Sequence, residues 1–190
     1  ANVSETAAGF LLEKEIKYIG GAVDEPVRPY IAILGGAKVS DKIGVIENLV
    51  TKADKILIGG GMAFTFLKAD GYEIGTSLLD EENLEFCTRI LKEYGDKIVL
   101  PVDVAVTTEY SNEEEYKVRS INEIEYNEMG LDIGPETKET FANYLKDAKT
   151  VIWNGPLGVY EFEKYKKHTD ELLQFLVDND IKTILGGGDI

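Results

Sequence analysis

The sequence predicts an α/β fold in which an open, largely parallel sheet carries helices on both faces. Three observations support this prediction. Short apolar runs rich in β-branched residues alternate with amphipathic helical patterns, four of the five such runs end in glycine clusters, and one hairpin pattern interrupts the alternation. The chain has 190 residues, which is enough for one domain with its own hydrophobic core.

The amino-acid composition argues against several classes of partner and site. A formal net charge of −15 disfavours nucleic acid and anionic membranes as partners, because both would be repelled. The single cysteine excludes an internal disulfide and a cysteine-cluster metal site. No apolar stretch reaches the roughly 18 residues of a membrane span, and no signal-peptide pattern is seen. We therefore expect a cytoplasmic protein.

The first half of the chain alternates regularly between helix and strand. A helix is predicted over residues 4–19, where Ser4 can cap and Gly20-Gly21 ends the pattern. Ser40 or Asp41 is the expected N-cap of the second helix. Cys87 falls on the inner face of a later helix, which predicts core packing. The predicted strands are 30–34, 55–58 and 97–101, and the helices that follow are 40–52, 62–69 and 80–94.

The second half contains the interruption and then returns to the alternation. Segments 102–106 and 116–119 alternate around an acidic turn, which predicts a small antiparallel β-hairpin insertion. His168, the only histidine, lies among charged neighbours and is expected on a solvated helix face. The remaining predicted elements are a loop at 129–134, a helix from Pro135 at its first position to Asp147, a strand at 149–153, a helix at 162–178 and a strand at 181–185.

The glycine clusters indicate where a ligand would bind. Ligands of open parallel sheets lie beyond the carboxyl ends of the strands, so clusters at four of these ends predict a cleft there. At the first of them, Lys38 and Lys42 follow Gly35-Gly36 and open a helix, a pattern typical of a phosphate-binding turn. The spacing matches neither GxxxxGK[ST] nor GxGxxG. The alternative is a tight turn with two surface lysines.

Five motifs in the same order resemble one known family. Together they closely resemble the nucleotide-binding, C-terminal domain of phosphoglycerate kinases, over residues 7–189. The motifs are GGAKVSDK (35–42), GGGMAFTFL (59–67), MGLDIGP (129–135), WNGPLGVYEFE (153–163) and GGGD (186–189). The resemblance implies a three-layer, Rossmann-like nucleotide-binding domain over 1–190. It also implies ATP or ADP with Mg²⁺, and phosphoryl transfer between ADP and the acyl phosphate of a three-carbon acid.

The same resemblance implies roles for individual residues. Lys42 would be the catalytic residue, stabilising the transferring phosphoryl group, and Lys38 would reach the nucleotide phosphates. Asp189 would hold Mg²⁺, a hard cation that prefers oxygen ligands. The other implied nucleotide contacts are Gly36 and Ala37 beside the nucleotide, Gly60 and Gly61 on the adenine side, Gly130 and Leu131 on the base, Asn154 on phosphate, Pro156, Gly158 and Val159 along the site, Glu161 on the ribose, and Gly187 and Gly188 on phosphate.

Departures from the family pattern set further expectations. Ile190 stands where the family has a small hydroxyl residue, and the family's phosphoglycerate-binding N-terminal domain is missing from this sequence. We therefore expect a fragment or engineered domain that binds nucleotide weakly, transfers no phosphoryl group alone and self-associates through surface exposed by truncation. The alternatives are an inert folding or interaction module and a dinucleotide-binding dehydrogenase domain. The latter is disfavoured because Gly59 to Gly61 replace the acid expected after the second strand.

Overall fold

The computed structural model describes residues 25–113 and 115–186. Five of its strands form a parallel sheet in the order β3-β2-β1-β7-β8, and three form a separate sheet in the order β5-β4-β6. The strands are β1 (Tyr30–Leu34), β2 (Lys55–Ile58), β3 (Ile98–Val99), β4 (Asp103–Thr107), β5 (Lys117–Ser120), β6 (Met129–Ile133), β7 (Thr150–Asn154) and β8 (Thr183–Gly186). All neighbours in the larger sheet are parallel. The predicted open parallel sheet is confirmed.

Helices cover both faces of the parallel sheet, which confirms the three layers. The helices are α1 (Ile43–Lys52), α2 (Met62–Ala69), α3 (Leu84–Tyr94), α4 (Pro135–Leu145) and α5 (Glu163–Asp178). Because strand side chains alternate, Ala32 and Leu34 pack with α1, α2 and α3 on one face, while Ile31 and Ile33 pack with α4 and α5 on the other. Cys87 is buried among the first group, as predicted.

The second sheet contains the predicted hairpin and one strand that the sequence analysis missed. Strands β4 and β5 pair antiparallel, as expected for the hairpin. Residues 129–133 were predicted as a loop, and that prediction is wrong because they form β6 and pair antiparallel with β4. The apolar residues of β6 do alternate, but Gly130 and Asp132 between them are residues that strands usually avoid.

The start of α1 also differs from the prediction. A short 3₁₀ turn over Val39–Asp41 precedes the helix, Lys42 occupies the N-cap position, and no side chain caps it. The expected cap by Ser40 or Asp41 is therefore wrong. The Ser40 amide instead donates to Asp80 Oδ2 at 3.0 Å, a residue forty positions later. The helix predicted over 4–19 lies outside the described residues.

The long helix predicted over 80–94 begins with a 3₁₀ turn over Glu81–Asn83 and becomes α-helical at Leu84. Pro135 occupies the first turn of α4, where its missing N–H costs nothing, as predicted.

Within the described residues, no helix combines the length and the apolar character needed to cross a membrane.

Candidate functional site

A cavity of about 730 Å³ opens at the carboxyl ends of β1, β2 and β7. Strand order reverses between β1 and β7, which is where open parallel sheets bind their ligands. Its volume lies within the roughly 300–1,000 Å³ usual for small-molecule sites. Ten of the predicted site residues line it, namely Gly36, Ala37, Gly60, Gly61, Gly130, Leu131, Pro156, Gly158, Val159 and Glu161.

The glycine turns around the cavity are joined to one another through their backbones. Gly36 N–H donates to the Pro156 carbonyl at 3.0 Å, and Gly60 N–H donates to the Leu157 carbonyl at 3.0 Å. The Met62 amide donates to the Gly36 carbonyl at 3.1 Å, which links the first turn to the start of α2. Three turns from three strands therefore form one hydrogen-bonded unit at this edge of the sheet.

Close packing of these turns explains why glycine occupies them. Gly60 has φ +68°, and a Cβ there would lie 2.6 Å from the nitrogen and the oxygen of Gly36. A Cβ on Gly35 would lie 2.0 Å from the Pro156 carbonyl oxygen. The glycine clusters in the sequence predict close approach of a ligand to the backbone. At Gly35 and Gly60 the close approach is between two segments of the protein itself.

Two lysines and an asparagine lie beside the cavity and do not line it. Lys42 Nζ donates to Asn154 Oδ1, which joins the helix after β1 to the end of β7. The Lys42 side chain also passes 3.5 Å from where a Cβ on Gly36 would be. Lys38 is exposed on the first turn. Lys38 follows Ala37, which lines the cavity, and Lys42 is the N-cap of α1, so both lysines lie between the end of β1 and the start of this helix.

Asp80 anchors the segment that carries Lys38. Its carboxylate accepts hydrogen bonds from the Ser40 amide at 3.0 Å and from Asn83 Nδ2 at 2.9 Å. Desolvation raises the pKa of Asp80, but these hydrogen bonds and the charge of Lys38 outweigh it and lower that pKa below its usual range. The loop before α3 therefore holds the turn after β1 in place.

Five lining residues were not predicted. Thr76, Leu78 and Tyr110 come from loops that carry no recognisable motif, whereas Met129 and Tyr160 lie within the motifs MGLDIGP and WNGPLGVYEFE but had no predicted role in the site. Tyr110 is the most informative of them because its hydroxyl donates to Glu161 Oε1 at the cavity mouth. Its ring packs on Phe162 at 4.9 Å between centroids. Desolvation and the adjacent Glu161 carboxylate raise the pKa of Tyr110 to about 12, so the hydroxyl stays protonated at neutral pH.

His168 is buried, and the predicted solvated position is wrong. Its Nδ1 lies 3.0 Å from Asp132 Oδ2, and the side chains of His168 and Asp132 are 6% and 0% exposed. The lysines beside it in sequence point elsewhere because successive helical residues lie on different faces. The sequence does not predict this partner because Asp132 is 36 residues away, in a strand whose sequence predicts a loop.

The remaining predicted site residues, Gly187, Gly188 and Asp189, lie outside the described residues. Within residues 25–113 and 115–186, no three His, Cys, Asp or Glu side chains are grouped as a metal site. Among the described residues, the cavity lining offers the Glu161 carboxylate and the hydroxyl groups of Thr76, Tyr110 and Tyr160 as oxygen donors. A single carboxylate among these donors fits a Mg²⁺ ion that is held largely by the phosphates of a bound nucleotide.

Comparison with known proteins identifies the family. The family model for phosphoglycerate kinase matches residues 1–190. Phosphoglycerate kinase from Listeria monocytogenes is 56% identical over 186 residues, which cover 97% of this chain and 47% of the relative. The enzyme from Lactobacillus gasseri is 58% identical over 184 residues, covering 96% of this chain and 45% of the relative. The chain thus spans about half the length of the curated relatives it matches.

Solved structures agree with the sequence comparison. Phosphoglycerate kinase from Coxiella burnetii superposes with a TM-score of 0.87 at 39% identity, covering 93% of this chain and 46% of that structure. The enzyme from Pyrococcus horikoshii superposes with a TM-score of 0.82 at 31% identity, covering 95% and 47%. The motifs, the parallel sheet with its glycine turns and these matches lead to one conclusion: the chain belongs to the phosphoglycerate kinase family.

Proposed function

We propose that this chain is the nucleotide-binding domain of a phosphoglycerate kinase and that its cavity binds ADP or ATP. The observation that carries the proposal is the arrangement of the cavity, whose apolar part is continuous with a glycine turn that bears two lysines. The apolar part suits the flat base of a nucleotide. The turn with the two lysines suits the phosphates, which lie beyond the ribose at the other end of the nucleotide. Family membership supports the reaction class, and the cavity lining supports the choice of residues.

The apolar part of the cavity suits adenine. Leu131, Gly158 and Val159 form one surface, which we call the base wall, and Leu78 lies elsewhere in the lining. The Val159 amide donates to the Leu131 carbonyl at 2.7 Å, which keeps the two halves of this wall in contact. A surface held by backbone hydrogen bonds is preorganised, so little ordering cost falls on the ligand.

Glu161 at the mouth of the cavity would accept hydrogen bonds from the ribose hydroxyls. The phosphates would extend toward the turn after β1, where Lys38 and Lys42 lie and where α1 begins. Lys42 would stabilise the negative charge of the transferring phosphoryl group, and its hydrogen bond to Asn154 orients the ammonium group for this role. Mg²⁺, when bound with Asp189, would neutralise phosphate oxygens during transfer.

Calorimetric titration with Mg·ADP tests the proposal. We expect a dissociation constant of about 0.1–1 mM, equivalent to about 4–5.5 kcal/mol. Mg·ATP should also bind, whereas NAD should bind much more weakly. Absence of any heat or thermal shift with several millimolar Mg·ADP would refute the nucleotide site and favour the inert-module alternative.

Lys38→Ala is expected to raise the dissociation constant of Mg·ADP about tenfold, because one charge-assisted contact to phosphate is lost, equivalent to about 1.4 kcal/mol. Lys146→Ala is the matched control, since it removes the same charge from an exposed residue after α4, at the opposite edge of the sheet. Calorimetry on both variants makes the comparison. Equal weakening by the two substitutions would mean that only net charge matters and that Lys38 does not reach the phosphates.

The chain alone is expected to transfer no phosphoryl group to 3-phosphoglycerate. A phosphorylated acid needs basic side chains, and each of the three arginines is already paired with acids: Arg28 with Asp54, Arg89 with Glu47 and Glu93, and Arg119 with Glu128. Positioning of the acceptor supplies much of the rate in this chemistry. A coupled assay measures the rate, and turnover abolished by Lys42→Ala would contradict the expectation.

A further inference from the structure

The buried pair of Asp132 and His168 has no role in the proposed chemistry, yet its geometry is specific. Besides the 3.0 Å contact with His168, Asp132 accepts the Ile133 amide at 2.8 Å through Oδ1. The Tyr116 hydroxyl lies 3.4 Å from His168 Nδ1. A buried carboxylate needs such partners, since an isolated buried charge costs several kcal/mol.

This pair joins helix α5 directly to the base wall. Asp132 follows Leu131 in β6, and Leu131 lines the cavity. A Cβ on Gly158 would lie 2.5 Å from Asp132 Oδ1, so the second half of the wall packs on the same carboxylate. Next to His168 in α5, Thr169 Oγ1 accepts the Leu157 amide at 3.2 Å. The position of the wall is therefore coupled to the contact between Asp132 and His168.

The surroundings of the pair determine how it holds its proton. Within the described residues, the charged group that acts on both members of the pair is Glu171 of α5, which itself pairs with Lys138 of α4 and Lys167 of α5. Tyr116, from the segment before β5, faces the imidazole and is itself influenced by Asp103 of β4 and Tyr165 of α5. Desolvation lowers the pKa of His168, but the hydrogen bond and charge of Asp132 and the charge of Glu171 outweigh it and raise that pKa. Desolvation also raises the pKa of Asp132.

Both shifts act in the same direction. For His168, the raised pKa stabilises the fold at pH values below the unfolded value of about 6.5, and this stabilisation disappears as the pH rises through the folded value. For Asp132, burial penalises the carboxylate, so the fold loses stability as the pH rises from the unfolded pKa of about 3.9 to the folded value. Above both folded values, Asp132 is a buried carboxylate facing a neutral imidazole. The contact that holds the base wall then weakens.

We infer that Asp132 and His168 are positioning residues for the base wall, and that adenine affinity decreases when the pair loses its shared proton at alkaline pH. This inference rests on the proposed nucleotide site. The two residues touch no ligand and act through Leu131, Gly158 and Val159. Binding and protonation are linked, so adenine binds the protein more tightly when the pair carries its proton. Bound adenine must therefore make that proton harder to remove.

The experiment uses the full chain and follows the imidazole of His168 by NMR, which is unambiguous because the sequence contains one histidine. Adenosine is the probe, since it has no phosphate that could titrate or attract the imidazolium. We expect adenosine to bind at least about fivefold more tightly at about pH 6 than at about pH 9, and to raise the pKa of His168 by about 0.7. A merely structural histidine would show neither effect.

Asp132→Asn keeps the shape of the side chain and removes its charge. In this variant the pKa of His168 should be lower than in the unmodified chain, because desolvation still lowers it and the charge of Asp132 no longer opposes this, and adenosine affinity should no longer depend on pH. Asp178→Asn is the matched control, because it removes one charge from the exposed end of α5, about 15 Å along the helix from His168, and should leave the pH dependence unchanged.

The outcomes separate the inference from the proposed function. Adenosine affinity that is constant with pH in the unmodified chain, or an unchanged pKa of His168 on binding, overturns the inference and leaves the nucleotide site intact. Binding of Mg·ADP without binding of adenosine also overturns it, because the base wall would then contribute no affinity. Failure of both ligands to bind removes the proposed function and the inference together. The wild-type measurements decide these outcomes even if Asp132→Asn does not fold.

Discussion

Gly60→Ala is expected to lower the free energy of unfolding by about 2–5 kcal/mol, the largest loss that we predict. Two costs combine at this position. The backbone has φ +68°, where a side chain is strained, and the new methyl group would lie 2.6 Å from two backbone atoms of Gly36 and 2.9 Å from the Pro156 carbonyl oxygen. Backbone atoms held by hydrogen bonds cannot move aside as the end of a side chain could.

The same substitution also tests the site. Because Gly60 lies where the turns after β1, β2 and β7 meet, any movement that accommodates the methyl group displaces the lining of the cavity. We expect Mg·ADP affinity to fall below detection in material that still folds. Chemical denaturation measures the first effect and calorimetry the second.

Gly44→Ala is the matched control. Gly44 lies in helix α1, and a Cβ there would meet nothing within 4 Å. Alanine should raise the free energy of unfolding by about 0.5–1 kcal/mol, because glycine is the poorer helix former. Equal destabilisation by both substitutions would contradict the packing that we describe at Gly60.

Asp103→Ala is expected to lower the free energy of unfolding by about 2–4 kcal/mol. The buried carboxylate of Asp103 caps helix α4 from the neighbouring strand. It accepts the Thr137 amide at 2.8 Å, the Thr137 hydroxyl at 2.7 Å and the Glu136 amide at 3.1 Å. Alanine leaves two amides of the first helical turn without this acceptor.

Asp103→Asn should cost less, about 1–2 kcal/mol, because one oxygen acceptor remains while the charge near the helix N-terminus is lost. Asp147→Ala, at an exposed residue after the same helix, serves as the control and should change stability by less than about 0.5 kcal/mol. Thermal and urea denaturation measure all three variants. A ranking in which Asp147→Ala is as harmful as Asp103→Ala would show that Asp103 does not cap the helix.

Local patterns were sufficient to predict the main sheet and much of the cavity lining. Short apolar runs such as Ile31–Leu34, bounded by a glycine turn, are typical of strands that are buried on both faces. Glycine clusters at the ends of parallel strands necessarily meet at one edge of the sheet. The prediction of ten lining residues, however, depended on the family resemblance, since no single motif identifies a base wall.

The features that were missed depend on contacts between distant parts of the chain. The environment of His168 is decided by Asp132, and the start of α1 is decided by Asp80, which binds the Ser40 amide. Strand β6 forms because β4 offers it a partner, although Gly130 and Asp132 weaken its own strand signal. Tyr110 reaches the cavity from a loop whose path follows from the β4–β5 hairpin. Sequence periodicity carries no information on such pairings.

The most direct test of the central claim is an intermolecular NOE measurement on the isotope-labelled chain with Mg·ADP. The adenine ring protons should give NOEs to the methyl groups of Leu131 and Val159 on the base wall. They should give none to Val177, whose methyl groups are exposed on α5 away from the cavity lining. NOEs to Val177 with none to the base wall, or no NOEs and no shift changes at several millimolar Mg·ADP, would contradict a nucleotide site in this cavity.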